Sequence, residues 1–101
     1  MVGEVNQIGL LSRDKELVNV LIDIKNELRN AEKKFPGWPS DPVHGAAIVA
    51  EESGELIKAA IDWYYGRGKA RDVKAEAIQT AAMAVRFLIY MNRRLYGEST
   101  E

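Results

Sequence analysis

The chain has 101 residues, enough for one domain near the lower end of what buries a self-sufficient core, so a partner chain is an expectation from the start. Fourteen basic and fifteen acidic residues leave a formal net charge of -1, which gives no global field for DNA, RNA or anionic lipid and confines any phosphate binding to local sites. The absence of cysteine excludes disulfides, thiolate metal sites and cysteine nucleophiles, and His44 is the single histidine, so metal chemistry must rest on oxygen ligands.

Residues 1 to 11 are mixed and glycine-punctuated and read as an arm. They carry no positive region followed by a long apolar stretch, so no secretion signal is visible and a cytoplasmic protein is expected. Residues 12 to 101 read as one helical domain. Ser12 precedes Asp14 and Glu16, acidic residues suited to a first helical turn, and Leu17, Leu21, Ile24, Leu28 and Ala31 recur at the spacing of one helical face. This first helix should end before Phe35-Pro36-Gly37. All three prolines fall in FPGWPSDP, which must be an extended or turned connection. Asp41-Pro42 then opens a second helix, because aspartate caps free amides and proline is tolerated at the first position. That helix should run to about Tyr65. GRGKAR breaks the pattern, with Gly66 as a helix stop and Gly68 allowing a positive φ.

Asp72 is expected to cap a third helix. Between Ala75 and Met91 only Glu76, Gln79, Thr80 and Arg86 are polar, so this helix is apolar nearly all round and should be central and buried. Its polar residues also interrupt any uncharged run of the roughly 20 residues that a bilayer requires, and no membrane span is expected. Three helices from one chain cover such a helix poorly, and a second copy would supply the missing wall, as a homodimer or a dimer of dimers. No alternating strand pattern competes. The expected class is all-α, an antiparallel bundle of three main helices completed by homo-oligomerisation.

The second helix contains Glu51-Glu52-Ser53-Gly54-Glu55. At about 100° per residue, Glu51 and Glu55 fall about 40° apart and Glu52 and Glu55 about 60° apart, so all three can face one side. Like charges at this spacing repel unless a cation sits among them. Hard divalent ions take oxygen ligands, commonly a few carboxylates together with substrate phosphates. A solvated acidic face is the simpler reading of such a cluster taken alone. The third helix changes the balance, because Glu76, Gln79, Met83 and Arg86 share one stripe, and a glutamate and a glutamine on a buried helix need partners. The plainer alternative makes Glu76 an exposed first-turn residue and Arg86 half of a structural ion pair.

The pattern Glu52-x-x-Glu55, twenty intervening residues and Glu76-x-x-Gln79 resembles the two-helix metal motif of MazG-like, all-α nucleotide pyrophosphohydrolases, where ExxE is followed after a similar gap by ExxD. HGAAIVAEESGEL and EAIQTAAMAVRFL carry the likeness, which covers about residues 36 to 90. It implies that Glu52, Glu55 and Glu76 are catalytic and hold Mg2+, or Mn2+, with Gln79 and Glu51 in the ligand set. It further implies a nucleoside triphosphate substrate whose α,β-phosphoanhydride is attacked by water, giving a nucleoside monophosphate and pyrophosphate, an activity suited to nucleotide-pool house-cleaning. Gln79 departs from the pattern, which has aspartate there. Its carbonyl can ligate magnesium but adds no negative charge, and Glu51 stands near enough to compensate.

Several residues could hold the nucleotide. His44 lies on the acidic side of the second helix and could bond a base or phosphate, or sit on the surface with a local partner. Trp38 could stack on a nucleobase, or pack in a core or interface. Lys58 and Arg86 extend the two stripes and could neutralise phosphate, or pair with nearby glutamates. Lys69, Arg71 and Lys74 belong to a basic, glycine-bearing segment that could clamp a triphosphate, or be a solvated turn; its spacing is not that of a P-loop. Two other readings compete with the enzyme. One is a non-catalytic helical nucleotide-binding or protein-interaction module. The other is a nucleic-acid binder, which rests on the basic segment alone and would require strongly salt-dependent affinity; no nucleic acid partner is expected.

Overall fold

The computed structural model describes residues 12–97, and the N-terminal arm lies outside them. Three helices make up the fold: α1 (Ser12–Lys34), α2 (Pro42–Tyr64) and α3 (Ala70–Tyr96). Among the described residues there is no strand, and no helix is long and apolar enough to cross a membrane.

Local chemistry sets most of the boundaries. The Asp41 carboxylate accepts a hydrogen bond from the Val43 amide at 3.0 Å, with Pro42 at the first position of α2. At the other end of α2, Gly66 adopts φ +79°, the Gly66 amide donates to Trp63 O and the Arg67 amide to Asp62 O, a Schellman closure that needs glycine at the left-handed position. Gly68 has no positive φ; its role is spatial, since a Cβ there would lie 3.1 Å from Asp62 Cβ. The start of α3 also differs from expectation. Lys69, not Asp72, is the capping residue, and it caps through its backbone, its carbonyl taking the amides of Asp72 and Val73. Asp72 therefore falls inside the first turn, where its charge opposes the helix dipole favourably.

Helix α3 touches both other helices and is the centre of the fold. Between α2 and α3, Phe87 lies against Gly45, and in the connections Tyr90 bonds Ser40 O and Gly68 lies against Asp62. Between α1 and α3, Asp23 pairs with Lys74, and Arg86 bonds Phe35 O just beyond the end of α1. Burial is thin. Ala82 is 0 % exposed and Ala31 and Arg86 are each 7 % exposed, whereas Leu17 and Leu21 on α1 and Leu88 and Ile89 on α3 remain open. The expected burial of the third helix is thus met only along its flanked sides, because two neighbours cannot surround a cylinder.

The proline-rich connection is fastened to α3 by Arg86, Tyr90 and Arg94, which recur every four residues on one face. Arg86 Nη2 donates to Phe35 O at 2.7 Å and Gly37 O at 3.2 Å. Tyr90 donates to Ser40 O, and Arg94 Nη1 reaches Tyr90 Oη at 2.8 Å and Ser40 O at 3.4 Å. A connection without regular structure has carbonyls to satisfy, and these side chains satisfy them. The Arg86 guanidinium also lies 5.1 Å from the centre of the Trp38 ring, which fixes the indole.

Candidate metal centre

Glu52 is the hub of the acidic residues. It is half-buried on α2, and burial pushes its carboxyl above the usual carboxylate range, assisted by the charges of Glu76, Glu51, Glu55 and Glu27, in that order. Side chains from all three helices therefore act on one carboxyl group. Glu55 and Glu76 face a common cleft of about 230 Å³ that also receives Lys58 and Lys69, together with Asp62, Arg67 and Asp72. Within it, Arg67 is already paired with Asp62 at 3.2 Å. Glu52 and Gln79 line a neighbouring cleft of about 370 Å³ with a more apolar wall, made by Trp38, Phe35, Ile48 and Met83.

The stripe Glu76, Gln79, Met83 and Arg86 thus faces the space between the flanking helices. As the side chains stand, no three acidic or imidazole groups among the described residues are placed to hold one ion.

The remaining expected residues are spread around this centre. His44 is exposed in a separate shallow cleft that includes Glu51 but neither Glu55 nor Glu76. Lys74 turns to α1 and pairs with Asp23 at 3.7 Å, and Arg71 is exposed outside the Glu55–Glu76 cleft. Arg86 meets backbone carbonyls and an indole instead of a carboxylate, so no ion pair of the kind considered from sequence forms. Trp38 forms part of the apolar wall, and its Nε1 is buried without a hydrogen-bond partner.

Glu27 of α1 was not among the expected residues. It is half-buried, lines the cleft of Glu52 and Gln79, and contributes to the raised Glu52 carboxyl. A signal existed: Glu27 lies three residues after Ile24 and four before Ala31, a carboxylate bordering an apolar face. Comparison with models of protein families, with curated proteins and with solved structures finds no match to this chain.

Proposed function

We propose that the chain is a magnesium-dependent nucleoside triphosphate pyrophosphohydrolase, cytoplasmic and assembled as an antiparallel helical bundle from more than one copy. The observation that carries this reading is the gathering of Glu52, Glu55 and Glu76 with Glu51 and Glu27, an arrangement whose mutual repulsion a divalent cation relieves. Glu52, Glu55 and Glu76 would hold the metal, the Gln79 carbonyl would add a neutral oxygen, and Glu51 would supply charge from the edge. Magnesium held by these side chains would supply Lewis-acid chemistry toward the anhydride.

The rest falls to side chains of this chain. Lys58 and Lys69 stand in the same cleft as Glu55 and Glu76 and would balance the charge of the triphosphate. The apolar wall of Trp38, Ile48 and Met83 beside Glu52 offers the base a dry surface. Water adds to one phosphorus of the α,β-phosphoanhydride and gives up a proton to solvent, the bond from that phosphorus to the bridging oxygen breaks, and a nucleoside monophosphate and pyrophosphate result. Self-association is favoured by the apolar residues left open, among them Leu17 and Leu21 on α1 and Ile57, Ile61 and Trp63 on α2.

The test is pyrophosphate release from a panel of canonical and modified nucleoside triphosphates in Mg2+. Release from at least one is expected, and Glu55→Gln should lower it by roughly 100-fold or more while the far-ultraviolet circular dichroism is unchanged. Undiminished activity in that variant would remove Glu55 from the mechanism. The glutamine at position 79 favours a second reading, a non-catalytic nucleotide-binding or protein-interaction module, which the panel would support if nucleotide bound and none was cleaved.

A further inference from the structure

A further cleft, of about 610 Å³, lies between the proline-rich connection and the C-terminal half of α3, and of its lining the reading above uses Trp38 alone. Its walls include Pro36, Pro39 and Ile89, and its charges are Arg86, Arg93 and Arg94 against the single carboxylate of Glu32. None of the three arginines has a carboxylate within ion-pair distance among the described residues, where the pairs formed are Arg67–Asp62 and Lys74–Asp23. Arg86 is the informative member. It is 7 % exposed, and its named partners are neutral: two carbonyls and the face of Trp38. Arg94 is likewise held by a carbonyl and a hydroxyl, which fix its guanidinium without cancelling its charge. Burying a cation without a counter-charge is costly, which applies to Arg86, and the exposed Arg93 and Arg94 add two like charges at the same cleft.

We infer that this cleft is a binding site for a phosphate-bearing small molecule, which shares the Trp38 and Arg86 wall with the cleft of Glu52 but contains none of the proposed metal ligands. Two exposed guanidinium groups, Arg93 and Arg94, would meet the phosphate by charge-assisted hydrogen bonds, Arg86 would add its field from behind, and Ile89 with the two prolines would receive the organic part. Its volume lies within the range usual for small-molecule sites.

Trp38 lines the cleft and is one of two tryptophans, so Trp63→Phe leaves a single tryptophan, which can be excited selectively over the tyrosines. In that background, with EDTA present so that no metal occupies the glutamate centre, inorganic pyrophosphate and a nucleoside 5′-monophosphate are titrated separately. A saturable change in Trp38 emission at up to millimolar concentration is expected with at least one probe. Arg93→Gln, which removes no hydrogen bond of the fold, should weaken it roughly tenfold. Arg93→Glu/Arg94→Glu should abolish it, with circular dichroism reporting that the helices persist. Glu55→Gln should leave it intact, which keeps this site distinguishable from the proposed catalytic one. Absence of any saturable change with either probe, or an unchanged affinity in Arg93→Gln, would overturn the inference.

Discussion

The two halves of α3 treat charge in opposite ways. Near its N-terminal end Glu76 shares a cleft with Glu55, Asp62 and Asp72 as well as Lys58, Arg67 and Lys69, and the half-buried Glu52 of α2 is held above the usual carboxylate range by burial and by the charges of Glu76, Glu51, Glu55 and Glu27. Toward its C-terminal end Arg86 and Arg94 have donors matched to backbone carbonyls of the connection. The basic half thus has its hydrogen bonds satisfied and holds the chain together, whereas beside the acidic half the Glu52 carboxyl is raised by burial and by neighbouring carboxylates. A charge with satisfied bonds should be missed when removed; a charge in a repulsive cluster should not.

The largest effect should come from the basic half. Arg86→Ala orphans the carbonyls of Phe35 and Gly37, removes the cation from the Trp38 ring and leaves a void, for an expected loss of about 2–4 kcal/mol in chemical unfolding. Arg86→Lys should recover only part of this, since an ammonium cannot reproduce a planar fork. A loss below about 0.5 kcal/mol would mean that the prolines and packing hold the connection unaided.

Gly45→Ala sharpens the same point. Alanine gains about 1 kcal/mol of helix propensity over glycine, so an exposed helical glycine is normally improved by this change. Here the new Cβ would stand 3.1 Å from both Phe87 Cδ1 and Trp38 Nε1, and the indole is pinned by Arg86 on its face. Overpacking of this sort costs about 1–3 kcal/mol, so a net loss near 1 kcal/mol is expected, with a shift in Trp38 emission. A stabilised variant would show that Trp38 yields freely and that Arg86 does not position it.

What could be foreseen divides along the same lines. The Asp41–Pro42 start and the Gly66 stop were legible because capping chemistry acts over a few residues. The common stripe of Glu76, Gln79, Met83 and Arg86 was legible because helical spacing fixes it before any packing occurs. Arg86 was harder, since its acceptors are carbonyls in a distant connection, and carbonyls carry no side-chain signature. Glu27 matters only once α1 docks beside Glu52, so its own helix gave a weak signal. The Asp72 cap failed because the Lys69 carbonyl, available in any sequence, closes the first turn of α3 three residues earlier.

The smallest effect, and the one that decides the comparison, belongs to Glu52→Gln without metal. Because burial and the charges of Glu76, Glu51, Glu55 and Glu27 raise the Glu52 carboxyl, the folded chain holds that proton more tightly than the unfolded chain does. The sign follows from linkage: this group adds stability as pH falls through its raised folded pKa and withdraws it as pH rises above. At neutral pH in EDTA the ionised side chain therefore costs stability, and the Glu52→Gln variant should melt at or slightly above the parent, by a few tenths of a kcal/mol, about the worth of like-charge contacts on helices. The difference should shrink on acidification toward the ordinary carboxylate range. Added Mg2+ should reverse the order, raising the melting temperature of the parent more than that of the variant, since a bound cation turns the repulsion into ligation. A parent more stable than the variant in EDTA at neutral pH would mean that Glu52 already has a favourable partner, and the two halves of α3 would then differ in sign of charge alone.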